Sequence, residues 1–349
     1  MEQFSPVSRR AFASGSALAA ATLAWPALQA QSAPEIRKIT VAVANKAAFY
    51  SLPLSISEQL GYFKAEGLEV AISDHGNGAQ ALQALTEKSA DICSAGFEHI
   101  IHLQATQQMY QSFVQLGRAP QIAFGVSTRN LPGYKSVVDL KGKKVGVATL
   151  GSSSTLMASM VLAQGGLKAS DVRFMEVGEV DGALAALRSG QVDAMSNTDP
   201  LMTMLEQKGE VKIISDARTL KGTADVFGGP MPASCLFAPL EFVRKNSNTC
   251  QALANAMVRG LKWLQTAGPG DIIKTVPENY LLGDRGLYIA SFNKVRESIS
   301  LDGVLAEDAP RTAYKALASF DASIRNSKID LAKTFTNEFA QRAKERFKA

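Results

Sequence analysis

Gly151-Ser152-Ser153-Ser154-Thr155 is the string best suited to chemistry in this chain. Small residues between a strand and a helix can offer backbone N–H groups and hydroxyls to an anion. The same serines also suit plain N-capping, which every helix needs. Lys46 is a candidate partner for an anion, although a lysine in a loop is commonly just solvated. Glu98 can pair with an amine or amidine on a ligand, or serve as an ordinary first-turn helix acid. Phe49 and Tyr50 can stack on a ligand and wall it in, or pack into the core. Lys46 and Glu98 ask for opposite ligand charges. A zwitterion such as an aminosulfonate satisfies both, and so does an organic acid that never meets Glu98.

Two other patterns compete for attention. Gly76-Asn77-Gly78-Ala79-Gln80-Ala81 fits the dinucleotide fingerprint G-x-G-x-x-A, with Glu98 lying 22 residues after its first glycine. A nicotinamide-dependent oxidoreductase is therefore the rival class. Against it, the fingerprint follows the second strand of its unit and not the first. His99 and His102 are three apart beside Glu98, so a shared helix face could hold a metal, but ordinary surface or core histidines are the simpler reading. Neither a cofactor nor a metal is expected. Hydrolase, zincin and P-loop motifs are all missing from the sequence.

The elements that must position these residues are signalled by a repeat. Ala81-Leu82-Gln83-Ala84-Leu85 with Asp91 recurs as Ala183-Leu184-Ala185-Ala186-Leu187 with Asp193, at a constant offset of 102 residues. Each copy reads as an apolar-faced helix, a polar turn, an acid and a buried strand, which is half of an α/β lobe. Strands are expected at 38–44, 69–73 and 91–95, and again at 144–148, 172–177 and 193–196. Helices are expected from Ser51, as cap, through Leu60, at about 153–164 and 181–189, and at 251–266 and 331–348. Apolar runs at 121–127 and 233–237 suit strands crossing between lobes. The expected architecture is α/β and two-lobed, a clamshell of two β-α-β sheets joined by two hinge strands, with C-terminal helices packed on lobe one. Lobe one takes 36–123 and 236–349, and lobe two takes 124–235.

Residues 1–30 read as an export signal of the twin-arginine type, Ser8-Arg9-Arg10-Ala11-Phe12 followed by a weakly apolar stretch, with processing near Gln31. The twin-arginine translocon is thus an expected partner during export, to a soluble periplasmic location. The net charge of +5 falls to +4 without this segment, and the basic residues are scattered, which argues against nucleic acid. Of three cysteines, Cys93 reads as a buried small residue, while a Cys235–Cys250 bridge stays open.

In open α/β sheets, ligands lie beyond the carboxyl ends of the strands. That rule nominates Asn45 to Tyr50, Gly76-Asn77-Gly78, Gly96-Phe97-Glu98, Gly151 to Ser154 (with Ser152 and Ser153), and Asn197-Thr198-Asp199-Pro200. The last two of these loops belong to lobe two and the others to lobe one.

Longer strings carry a family likeness. Leu60-Gly61-Tyr62-Phe63 through Glu66-Gly67-Leu68-Glu69-Val70, Asp139-Leu140-Lys141-Gly142-Lys143-Lys144-Val145-Gly146-Val147, and Gly190-Gln191-Val192-Asp193-Ala194 resemble periplasmic binding proteins of ABC importers. The nearest branch serves nitrate, sulfonates, taurine and pyrimidine-type thiamine precursors. The resemblance spans about residues 38–270. It implies two lobes joined by two hinge strands, a ligand held in the cleft, a membrane permease as partner, a monomer, and no catalysis. It also places a ligand-contacting turn at Gly151–Thr155, and an aromatic before Asp199-Pro200 where this chain has Thr198. Pyrimidine-synthesising relatives on the same fold carry a cysteine-rich motif that does not occur here.

Overall fold

The computed structural model describes residues 1–2 and 33–349. The paired arginines, apolar run and processing point of the expected export signal lie outside the described residues. From Ala33 onward the chain forms one compact unit built on two five-stranded sheets.

The first sheet holds β1 (Lys38–Val43), β2 (Glu69–Asp74), β3 (Ile92–Gly96), β4 (Tyr110–Gln115) and, much later in the chain, β10 (Ser234–Pro239). The second holds β5 (Ile122–Ser127), β6 (Lys144–Val147), β7 (Arg173–Glu176), β8 (Ala194–Thr198) and β9 (Val211–Asp216). Their orders are β2-β1-β3-β10-β4 and β7-β6-β8-β5-β9. In each sheet three parallel strands are followed by one antiparallel strand that has just arrived from the other lobe.

The repeat is a structural equivalence and not a chance likeness. Val41 faces Ile72 and Ile92 in sheet one, and Val145 faces Phe174 and Ala194 in sheet two, so both flanking strands keep the 102-residue offset. Ala81, Ala84 and Leu85 are buried, and so are their counterparts Ala183, Ala186 and Leu187. The repeated acid does the same work twice. Asp91 accepts the Thr40 backbone N–H at 2.8 Å and returns its own N–H to the Thr40 carbonyl at 3.0 Å. Asp193 does this with Lys144, at 2.9 Å and 2.8 Å. Each carboxylate thereby pins the first strand of its lobe to the third. Asp91→Ala should cost about 1.5–3 kcal/mol in urea unfolding, the range for a hydrogen bond to a charged group. Asp193→Ala should cost less, because its bond to Lys144 is exposed. An equal or larger loss at Asp193 would contradict this ranking.

Several expectations are corrected. Tyr110–Gln115 and Val211–Asp216 are additional strands, each ending its sheet. Only Glu338–Phe347 of the expected 331–348 helix is helical after a short 3-10 turn, because Phe335 bridges to β4 while Thr334 and Thr336 exchange backbone hydrogen bonds with Ser112. Ser51 precedes the helix Leu52–Gln59 without a capping bond from its side chain. The cysteines are all buried and free, so Cys235 and Cys250 form no bridge. Among the C-terminal helices, Ser247–Thr266 and Glu338–Phe347 pack on lobe one. Arg285–Val295 and Ala309–Phe320 also reach helices of lobe two. Among the described residues no helix is long and apolar enough to cross a membrane.

The lobes are joined by two crossings, Leu116–Gln121 outward and Gly228–Ala233 on the return. These connections pair with each other: the Gly117 N–H bonds the Ser234 carbonyl at 2.9 Å, and the Ala233 N–H bonds the Gly117 carbonyl at 3.0 Å. A side chain at Gly117 would crowd the Ser234 hydroxyl, so the close approach needs glycine.

Candidate functional site

The carboxyl ends of the parallel strands in both sheets face one another, and between them lies a cavity of about 100 Å³. From lobe one it is walled by Tyr50, Asn77, Gly78, Gly96 and Glu98, all expected from sequence. From lobe two come the expected Ser152, Ser153, Ser154 and Thr198. Glu179 and His99 were not expected there.

Glu98 opens the helix Glu98–Ala105 directly after β3. The ring of the preceding Phe97 is fully buried and fixes the start of that helix. Glu98 is itself only 3% exposed, and its carboxylate lies over Gly96, where a methyl group would strike both oxygens. Gly96 is therefore a glycine because the carboxylate occupies the space a side chain would take. Across the cleft, the Ser153 hydroxyl donates to Glu98.

Ser153 begins the helix Ser153–Gln164, whose N-terminus carries no capping side chain. The Ser152 hydroxyl donates to the Thr149 carbonyl at 2.6 Å, and Ser154 Oγ accepts the Ala148 N–H at 3.0 Å. Those two serines shape the turn. The first N–H groups of a helix have no partner inside it, so this terminus presents donors and positive potential to the cavity.

Glu179 sits on the short loop between β7 and the helix Asp181–Arg188. It is the second link between the lobes: Asn45 Nδ2 donates to its Oε2 at 2.5 Å and the Tyr50 hydroxyl to its Oε1 at 2.8 Å. Burial pushes the Glu179 carboxyl up, the two donors pull it down, and the charge of Asp74 adds to the upward side, which prevails. Burial and the Glu179 charge together hold the Tyr50 phenol well above its usual range. The signal for Glu179 was present in the repeat, since it lies 102 residues after Asn77 on the equivalent loop.

The remaining sequence candidates do not line the cavity. Lys46 is held by Glu58 at 2.8 Å, and its backbone N–H bonds Asp74. Phe49 is core, its ring 4.7 Å from that of Tyr288. Gly76 takes a left-handed turn before Asn77, whose side chain caps the helix Gly78–Thr86 through the Gln80 N–H. Phe97 is core, as above. Asn197 is fully buried on β8 and braces the loop that carries Glu179, donating to the Gly178 carbonyl at 2.9 Å. Asp199 belongs to an ion cluster around Arg218, which is 1% exposed. Arg218 lies 3.4 Å from Asp199, 2.7 Å from Asp216 and 3.1 Å from Glu206, and Glu206 in turn takes Lys294 at 2.5 Å. The two histidines diverge: His99 faces the cavity, and His102 lies against Asp321 at 3.8 Å.

Comparison with known proteins agrees with this geometry. The NMT1/THI5-like family model matches residues 48–267. A solved structure from Bordetella bronchiseptica RB50 covers 90% of this chain and 99% of its own at 52% identity, with a TM-score of 0.85. The alkanesulfonate-binding protein SsuA of Xanthomonas axonopodis pv. citri, solved with MOPS, aligns over 87% of this chain and 99% of its own at 18% identity and a TM-score of 0.66. A 4-amino-5-hydroxymethyl-2-methylpyrimidine phosphate synthase of Schizosaccharomyces pombe is 26% identical over 45% of this chain and 43% of its own. With its two sheets, paired crossings and cavity at the strand ends, the chain has the two-lobed periplasmic-binding-protein fold and belongs to the NMT1/THI5-like family.

Proposed function

We propose that this chain is an extracytoplasmic solute-binding protein that captures a small organic ion of the sulfonate or carboxylate type by hinge closure and presents it to an ABC importer. The observation that carries this reading is the pair of hydrogen-bonded links across the cavity, Ser153 to Glu98 and Asn45 with Tyr50 to Glu179. A wall shared by two lobes is complete only when they close, so a ligand that touches both shifts the population toward the closed form. The anionic group is assigned to the uncapped start of the helix Ser153–Gln164, and the likeness to the alkanesulfonate-binding protein of Xanthomonas axonopodis supports that assignment. Export to the periplasm, a permease partner and a monomeric state complete the reading. Catalysis is not part of it, because the synthase relative aligns over less than half of either chain and all three cysteines here are buried.

The test is a thermal-shift screen of the mature chain against short sulfonates, carboxylates and their amino derivatives. A ligand of the native state at a hundred times its Kd adds about 2.7 kcal/mol, enough for a clear rise in Tm. If no member of the screen raises Tm, this ligand class is wrong.

A further inference from the structure

Resting on that reading, we infer that the ligand is a compact zwitterion, whose cationic nitrogen is held between Glu98 of lobe one and Glu179 of lobe two while its anionic end faces the start of the helix Ser153–Gln164.

Among the described residues the wall contains two carboxyl groups and no lysine or arginine; its other titratable side chains are Tyr50 and His99. Lys46, on the loop after β1, is paired with Glu58. Neither carboxylate is saturated by the side-chain donors it has. An ionised carboxylate offers about four lone-pair sites. Glu98 takes one side-chain hydroxyl, from Ser153, and Glu179 takes one amide and one phenol. A simple anion would bring its negative charge into an enclosed space walled by two carboxyl groups, with Asp74 close enough to act on Glu179 and Tyr50. Like charges at such range disfavour binding, while an ammonium or amidinium meets carboxyl oxygens of both lobes that still have lone pairs to offer. Ser234, also on the wall, is 5% exposed, and its hydroxyl makes no hydrogen bond within the protein. It therefore offers a further polar contact to a ligand. The volume of about 100 Å³ sets a limit on size, well under the roughly 300 Å³ at which drug-sized sites begin.

The experiment is calorimetric titration of the mature chain with matched pairs: 2-aminoethanesulfonate against ethanesulfonate, and 3-aminopropanoate against propanoate. At least one aminated member should bind tenfold or more tightly than its amine-free partner, as a charged hydrogen bond in a closed site should provide. In Glu98→Gln and in Glu179→Gln, each checked for a native-like circular dichroism spectrum, that preference should fall to within about threefold. Using both variants keeps the test alive if one fails to fold. Amine-free members that bind as tightly as their partners, or a preference unchanged in both variants, would overturn the zwitterion and leave the anion-binding reading standing. No binding by any of the four probes would overturn the zwitterion and the sulfonate or carboxylate reading together.

Discussion

Arg218→Met should destabilise the folded chain by about 3–5 kcal/mol, the cost of leaving a buried carboxylate without its counter-ion. The size follows from position. Asp199 is 3% exposed and faces Arg218; Thr203 also supports it through its N–H and its side chain, and the charge of Lys294 acts on it. Methionine keeps the volume and removes the charge. Adding Asp199→Asn should recover part of the loss in chemical denaturation, since the orphaned charge goes with it. A loss no greater than that of an ordinary surface arginine would sink the idea.

The same cluster sets a pH dependence. Burial pushes the Asp216 carboxyl up, but the hydrogen bonds and charge of Arg218 outweigh it and hold the group below its usual range. Burial is likewise outweighed at Glu206 by Lys294 and Arg218. A carboxyl depressed in the folded state binds protons more readily when unfolded. Its contribution is therefore present above the unfolded value, about 4, and is lost as pH falls through the folded one. The gap in stability between the parent chain and Arg218→Met should narrow below about pH 4.

The second large effect concerns closure. Asn45→Ala combined with Tyr50→Phe removes both side-chain donors to Glu179 and leaves its charge in place. Hydrogen bonds to charged groups contribute about 1.5–3 kcal/mol each, so the closed arrangement loses up to about 6 kcal/mol relative to one in which Glu179 meets water. A change of even half that size moves a two-state equilibrium by roughly a hundredfold. The ligand-free double variant should show a larger radius of gyration in small-angle scattering. Its affinity for whichever probe stabilises the parent should fall at least tenfold. Unchanged scattering with unchanged affinity would mean that Glu179 is no latch.

Much of this architecture could be read from residue order because apolar periodicity and repetition are local. The offset between Ala81-Leu85-Asp91 and Ala183-Leu187-Asp193 located the equivalent helices and strands, and Gly96, Glu98, Ser153 and Thr198 followed from the rule that ligands lie beyond strand ends. The two strands that were missed, Tyr110–Gln115 and Val211–Asp216, end their sheets, and there polar residues such as Gln111, Gln115 and Lys212 break the apolar pattern. The pairing of Lys46 with Glu58 was not legible, because Glu58 comes back to it only once the helix Leu52–Gln59 has folded. Glu179 was overlooked for the opposite reason. Its loop has no glycine-rich or serine-rich signature, and its importance comes from Asn45 and Tyr50, which the fold brings from the other lobe.

The exchange of strands between lobes is unequal, and that has a consequence for the order of folding. Strands β5 to β9 are continuous in the chain, so sheet two can complete itself as soon as Asp216 has been made. Sheet one cannot, because β10 lies between β3 and β4 and arrives only after all of lobe two. Until then β3 has an unpaired edge, the kind of surface that recruits other chains, and closing it demands a long loop whose entropy slows the step. Pulse-labelled hydrogen exchange during refolding should find the amides of β8 protected before those on the β10 side of β3. Simultaneous protection would show that the lobes fold as one. The lobe assembled last is the one supplying Tyr50 and Glu98, so a binding-competent cleft is among the final things this chain makes.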